Sequence, residues 1–247
     1  MEVDAVILAG DQEGRSLLPV GSRPIIAWVV EALLASGRIR RLVVAGPPEL
    51  ASALPPDVTL VPAGRTAVDS ALNGAAAFPD AEWLLLVTAD IPLLKPEAVR
   101  DFLDRCRERP ADFYYPIVSR ECNEASYPGV ERTYVRLRDG TFTGGNMVLI
   151  KTSALLTCAR RGRELVRLRK SPLALSRLIG LKFIVKFLTH RLTIAEAEKH
   201  FSRLLGARGV GIISPYPEIG IDVDKESDLE LARRVLGSRP KEFFVEG

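Results

Sequence analysis

Three aspartates stand where a carboxylate can do chemistry. Asp90 lies in VTADIPLL, directly after the most hydrophobic run of the chain, Trp83 to Thr88. A continuous apolar run of that length reads as a central strand. A carboxylate at its carboxyl end can hold Mg²⁺ against nucleotide phosphates, because that ion usually takes one or two carboxylates plus phosphate and water oxygens. The plainer role for Asp90 is to cap a turn before Pro92. Asp222 and Asp224 lie in EIGIDVDKESDL. Ile219 to Val223 is predicted as a strand, so residues two apart face one side and both carboxylates can point to one site. The alternative is that one of them caps the helix that follows.

Positive charge and glycine gather in two other places. The segment LAGDQEGRSLLPVGSRPII puts Gly10, Gly14 and Arg15 between the first strand and the first helix. In an open α/β sheet, ligands bind beyond the carboxyl ends of strands, and such a loop offers backbone N–H groups to phosphates. Its spacing is neither the GxxxxGK[ST] phosphate loop nor the dinucleotide GxGxxG, and a tight turn is the simpler use of its glycines. Further on, Thr143, Gly144, Gly145 and Asn146 precede an apolar run. Paired glycines let a substrate come close to the backbone, and Asn146 can donate and accept hydrogen bonds to a sugar or phosphate. A turn with a bulge would use them equally well.

The elements that must position these residues follow from periodicity. Strand-length apolar runs at Val3 to Ala9, Arg41 to Ala45, Val58 to Pro62 and Trp83 to Thr88 alternate with amphipathic helices. One helix is opened by Pro24 and stopped by Gly37, one covers Ala67 to Ala77, and one runs from Pro96 to about Arg109. That alternation predicts a mainly parallel sheet with helices on both faces. Strands at Asp112 to Ser119, Thr133 to Arg138 and Asn146 to Lys151 begin mixed pairing. Residues 153–206 read as a helical lobe with a Thr193 cap, inserted in a single domain over 1–247, before strands near Gly209 to Ser214 and Ile219 to Val223 and a last helix, Ser227 to Leu236.

The lobe holds Arg160, Arg161, Arg163, Arg167, Arg169 and Lys170 close together. Such a run serves as a solvated face, as a grip of Arg169 and Lys170 on an acceptor phosphate, or as a weak contact with an anionic membrane surface. His190 and His200 lie in the same lobe without ligand spacing.

Composition bounds the partners. With 247 residues and 47% hydrophobic the chain can fill a core. Lys+Arg of 34 against Asp+Glu of 31 leaves a net charge of +3, which does not suit a general nucleic-acid binder. Three scattered cysteines, Cys106, Cys122 and Cys158, make neither a zinc pattern nor a disulfide framework and fit a reducing cytoplasm. No signal sequence or membrane-spanning run is expected. Oligomeric state stays open.

Taken in order, the LAG opening with its basic loop and LLPVGSRPII, then TADIPLL, FTGGN and DVDKESDL, resemble the nucleotidyltransferase superfamily. The likeness is greatest to the branch of molybdenum-cofactor guanylyltransferase and the cytidylyltransferases. It covers roughly residues 3–151 and 209–236. It implies a Rossmann-like, GT-A-like α/β fold and an Mg²⁺-dependent cytidylyl- or guanylyltransferase that joins NTP to a phosphorylated or hydroxylated small molecule. By the same resemblance, Leu8, Ala9, Gly10 and Gly14 form the nucleotide turn, and Arg15 neutralises the triphosphate where many members have lysine. Ser70 meets the base with Arg65 nearby, Asp90 and Asp224 hold the metal with Asp222 in reserve, and Gly144, Gly145 and Asn146 line the acceptor pocket. The same fold serves GT-A-type glycosyltransferases with nucleotide-sugar donors, and a non-catalytic nucleotide-binding or membrane-associated scaffold is the reading from outside enzymology.

Overall fold

The computed structural model describes residues 1–10, 14–168 and 179–237. Arg169 and Lys170 therefore lie outside the described residues, as does Asp11. The chain starts with β1 (Val3–Leu8), a short hairpin of β2 (Pro19–Val20) and β3 (Arg23–Pro24), and α1 (Ile25–Ala35). β4 (Ile39–Gly46), β5 (Thr59–Pro62), α2 (Ala67–Ala75), β6 (Trp83–Thr88) and α3 (Pro96–Arg105) follow. Then come β7 (Phe113–Ser119), α4 (Arg120–Ser126), β8 (Val135–Leu137), β9 (Gly140–Gly144), β10 (Met147–Lys151) and α5 (Thr152–Leu168). The described chain ends with α6 (Leu181–Leu188), α7 (Ile194–Leu205), β11 (Gly209–Ile213) and α8 (Glu226–Leu236).

The main sheet runs β5-β4-β1-β6-β10-β7-β9-β8, with β11 on the other edge of β7. It is parallel from β5 to β6 and turns antiparallel at β10. Alternate residues of β1 serve opposite faces, as a two-residue period requires. Ala5 and Ile7 join Ile26, Val29, Leu33, Val99 and Phe102 of α1 and α3 in one core. Val6 joins Phe78, Leu84, Ile150 and Leu155 on the face of α2 and α5. Helices thus cover both faces, as the alternation predicted. α1 ends before Gly37, whose φ of 63° suits a residue without Cβ.

Three expectations change in detail. Ile219 to Val223 is not a strand: a short 3-10 helix spans Pro217–Gly220, and the residues after it belong to no sheet ladder, Val223 N donating instead to Asp90 O. What fixes them is a third core, in which Ile221 and Val223 pack with Val20, Ile25 and Leu229 beneath α8. α3 stops at Arg105. Gly140 to Gly144 is a strand of its own, which leaves Gly145 and Asn146 between β9 and β10.

A buried carboxylate gripped by two partly exposed arginines ties the start of β1 to β4. The Asp4 carboxylate, 1% exposed, accepts from Arg40 Nε and Nη2 at 3.1 and 2.6 Å and from Arg41 Nε and Nη2 at 3.0 and 2.7 Å. Burial alone would raise its pKa, but these bonds from Arg41 and Arg40 outweigh it and hold the group at about 2. Because the folded value lies below the unfolded one, the stabilisation is full above about pH 4 and is lost as the pH falls toward 2, a sum of about 2 kcal/mol. Asp4→Asn is expected to lower the unfolding free energy at pH 7 by that amount and to flatten the acid limb. Urea titrations at pH 7 and pH 2.5 check this; an equal parent-to-variant gap at both would refute it.

Candidate active site

The three aspartates meet. One carboxylate oxygen from each of Asp90, Asp222 and Asp224 lies within 4.8 Å of the others. Asp90 follows β6, and its backbone carbonyl accepts from Val223 N at 2.9 Å, which fastens the acidic stretch after the 3-10 helix to the sheet. Because Ile221 and Val223 point into the core, the alternating Asp222 and Asp224 face the other way. Neither caps α8: Asp228 Oδ2 reaches back to the N–H groups of Asp224 and Lys225, both at 3.2 Å.

Each carboxylate has a partner that aims it. Thr88 Oγ1 donates to Asp90 Oδ1 at 2.5 Å, two residues back along β6. Arg132 donates from Nη1 to Asp222 Oδ1 and from Nη2 to the Asp222 carbonyl at 3.1 Å. Arg15 Nη1 donates to Asp224 Oδ1 at 2.6 Å, with the two side chains 28% and 62% exposed. Burial pushes the Asp222 carboxyl above its ordinary pKa against the pull of Arg132, and the charges of Asp224 and Asp90 add to the rise. Arg132 was not singled out from the sequence, since it sits in a loop that no motif marks. Thr88 carried a signal in its spacing of two from Asp90.

The donor set fits a hard divalent cation. All three groups offer oxygen, and oxygens sharing one Mg²⁺ at about 2.1 Å lie at most about 4.2 Å apart. The trio, within 4.8 Å of one another, lies close to that separation.

The turn after β1 adjoins this cluster. Leu8 O accepts from Ala89 N at 3.2 Å, and Ala9 N donates to Ala45 O at 2.9 Å, so the strand ends of β1, β4 and β6 lie together. A Cβ on Gly10 would stand 3.2 Å from both Ala63 Cβ and Ser70 Oγ. Ser70 is 1% exposed, and its Oγ accepts the Gly64 N–H at 2.9 Å. It therefore supports the loop at Gly64, while Thr66 caps α2 by accepting from Asp69 N at 3.1 Å. Arg65 lies exposed on the loop between β5 and α2. Gly14 has φ of 65°, and Arg15 opens the 3-10 turn after it. Arg23 is held by Glu31 at 2.6 Å and lies over the Trp28 ring, bracing the hairpin.

Gly144, Gly145 and Asn146 form a bulge between β9 and β10. Leu149 stands opposite Tyr114 and Gly144 opposite Ile117, so two extra residues are absorbed. Asn146 N donates to Ile219 O at 2.9 Å and its carbonyl accepts from Thr88 N at 3.0 Å. The bulge thus laces β6 to the segment that carries Asp222. Gly145 is required by packing, since a Cβ there would lie 2.5 Å from Ile219 Cγ2 and 2.8 Å from Pro116 Cγ.

The MobA-like NTP transferase domain profile matches residues 5–177. A solved hypothetical transferase from Thermus thermophilus is 40% identical and superposes with a TM-score of 0.79, covering 93% of this chain and 100% of that one. CMP:2-keto-3-deoxy-manno-octonic acid synthetase, solved with CTP, shares the fold at 15% identity and a TM-score of 0.61, over 96% of this chain and 98% of that one. The 2-C-methyl-D-erythritol 4-phosphate cytidylyltransferase of Klebsiella pneumoniae is 34% identical over 98 residues, or 37% of this chain. The match spans 42% of that enzyme's length, less than half of it.

Proposed function

The chain belongs to the MobA-like NTP transferase domain family, and from that premise we propose a divalent-metal-dependent nucleotidyltransferase that joins the NMP of an NTP to a small phosphorylated or hydroxylated acceptor and releases pyrophosphate. The observation that carries this is the convergence of Asp90, Asp222 and Asp224 at the carboxyl end of β6, beside the basic turn after β1.

Asp90 and Asp224 are the residues to hold Mg²⁺, with Asp222 kept in place by Arg132. When bound, the ion neutralises charge on the phosphoryl oxygens. Arg15, Gly14 and the turn at Leu8, Ala9 and Gly10 bind the triphosphate through guanidinium and backbone N–H groups. Ser70 holds the neighbouring loop at Gly64, and exposed Arg65 of that loop supplies a second charge. The acceptor lies toward Gly144, Gly145 and Asn146. Its oxygen attacks the α-phosphorus in line, the bond from that phosphorus to the bridging oxygen breaks, and pyrophosphate leaves with the electron pair. Positioning and fixed charge supply the acceleration without a covalent enzyme intermediate. CTP is the first candidate donor, by analogy with the cytidylyltransferase relative, and GTP the second. The reaction belongs to a reducing compartment, which suits three free cysteines.

A thermal-shift screen of the four NTPs and common nucleotide sugars, with and without Mg²⁺, tests the proposal. One NTP is expected to raise the melting temperature only with the ion, and turnover with acceptor to release pyrophosphate. Stabilisation by a nucleotide sugar with release of nucleoside diphosphate would make the chain a glycosyltransferase. Tight NTP binding without turnover across acceptors would make it a sensor or scaffold.

A further inference from the structure

A cavity of about 630 Å³ lies between the sheet and the helices α5, α6 and α7. Its floor is made by Phe113, Tyr115 and Ile117, alternate residues of β7 that share one face, with Val148 and Ile150 of β10 beside them. Its roof includes Phe183 and Phe187 of α6 and Ala197 and Phe201 of α7. The size falls within the range of about 300–1,000 Å³ that small-molecule sites occupy. Among the described residues the helices cover this face only in part: Tyr115 lies on a strand paired along both edges, yet it is 38% exposed.

The chemistry of the lining is almost wholly apolar. Among the described residues its charged member is Glu198, which already accepts from Arg109 at 2.9 and 2.7 Å and from Gly211 N at 2.8 Å, so it offers little to a cation. An apolar pocket rewards hydrocarbon and penalises a buried charge. One end is different. Thr143 and Gly144 belong to the lining, and they lead directly into the bulge at Gly145 and Asn146 that adjoins the acidic trio. This is the end of the cavity nearer the acidic trio, since Asn146 O accepts from Thr88 N at 3.0 Å beside Asp90.

We propose that this cavity holds the hydrocarbon chain of an amphiphilic acceptor, whose phosphate or hydroxyl head is the group that receives the nucleotide. The inference rests on the nucleotidyltransferase reading for the role of the head, while the apolar site stands on the cavity itself. An oxygen of the head forms the bond to the α-phosphorus, and pyrophosphate departs. A phosphate dianion needs to lose no proton, whereas a hydroxyl head gives its proton to solvent.

The test uses the full chain and cis-parinaric acid, a fluorescent fatty acid, as probe. Saturable binding is expected, with displacement by dodecyl phosphate and none by butyl phosphate or inorganic phosphate at equal concentration. Gly211→Leu and Ala197→Phe fill the space from floor and roof. A Cβ at Gly211 meets nothing nearer than 3.7 Å, so the first variant is expected to fold and melt no lower than the parent. Each should weaken probe binding by about tenfold or more, leaving the Mg²⁺-dependent NTP shift unchanged. Absence of saturable binding, displacement by inorganic phosphate, or full probe affinity in both variants would overturn the proposal. Loss of the NTP shift in the parent with probe binding intact would instead remove the nucleotidyltransferase reading and leave the apolar site standing.

Discussion

Asp90→Asn is expected to reduce Mg²⁺-dependent turnover by roughly a thousandfold, the effect of losing about 4 kcal/mol of charge stabilisation from the ion it helps to hold. The substitution keeps the shape and an acceptor oxygen for Thr88 Oγ1, and the Asp90 carbonyl still receives Val223 N, so the fold should survive. Asp224→Asn should act in the same direction, and calorimetric titration of Mn²⁺ should show weaker ion binding in both. Asp222→Asn should cost less, because Arg132 already engages one of its oxygens. Full turnover in both Asp90→Asn and Asp224→Asn would remove the metal site. A silent Asp224→Asn beside a severe Asp222→Asn would keep the site and exchange the two ligands.

Much of this arrangement could be read in the sequence because it is local. The apolar runs of β1, β4 and β6 had no stable place except a buried sheet, and the helices between them forced those strands parallel. Asp90 was legible because the end of a buried strand is a defined position. The stretch from Ile219 to Val223 was misread for a physical reason: its alternation reports which side chains are buried, not whether the backbone pairs. A core under α8 satisfies Ile221 and Val223 without a neighbouring strand, and the expectation that both carboxylates face one way follows from the same alternation. The paired glycines hid β9 because glycine contributes nothing to an apolar period. α4 was missed because its largely polar residues lack a core stripe, and Ser119 caps it through Cys122 N at 3.1 Å. The partners Arg132 and Asp222, or Arg15 and Asp224, are joined only by the fold, across distances in sequence that no local pattern reports.

Arg15→Ala is expected to weaken NTP binding by about thirtyfold, corresponding to about 2 kcal/mol for a charge-assisted contact to phosphate, while NMP binding changes little. The difference arises because the proposed partners of Arg15 are the β- and γ-phosphates. In the structure its guanidinium donates to Asp224, one of the proposed ion ligands. On the proposed reading the same arginine has two anionic partners, and engaging the triphosphate would free Asp224 for the cation. It follows that Arg15→Ala should have opposite effects on the two ligands measured separately: Mn²⁺ alone binds more tightly, since its carboxylate is no longer occupied, while NTP binds more weakly. Arg15→Lys keeps the charge but loses the planar fork, and it should retain turnover with intermediate NTP affinity. Calorimetry with Mn²⁺, NTP and NMP on the three proteins tests this directly. Equal losses for NTP and NMP would place Arg15 away from the outer phosphates, and an unchanged Mn²⁺ affinity would mean that its contact with Asp224 does not compete with the ion.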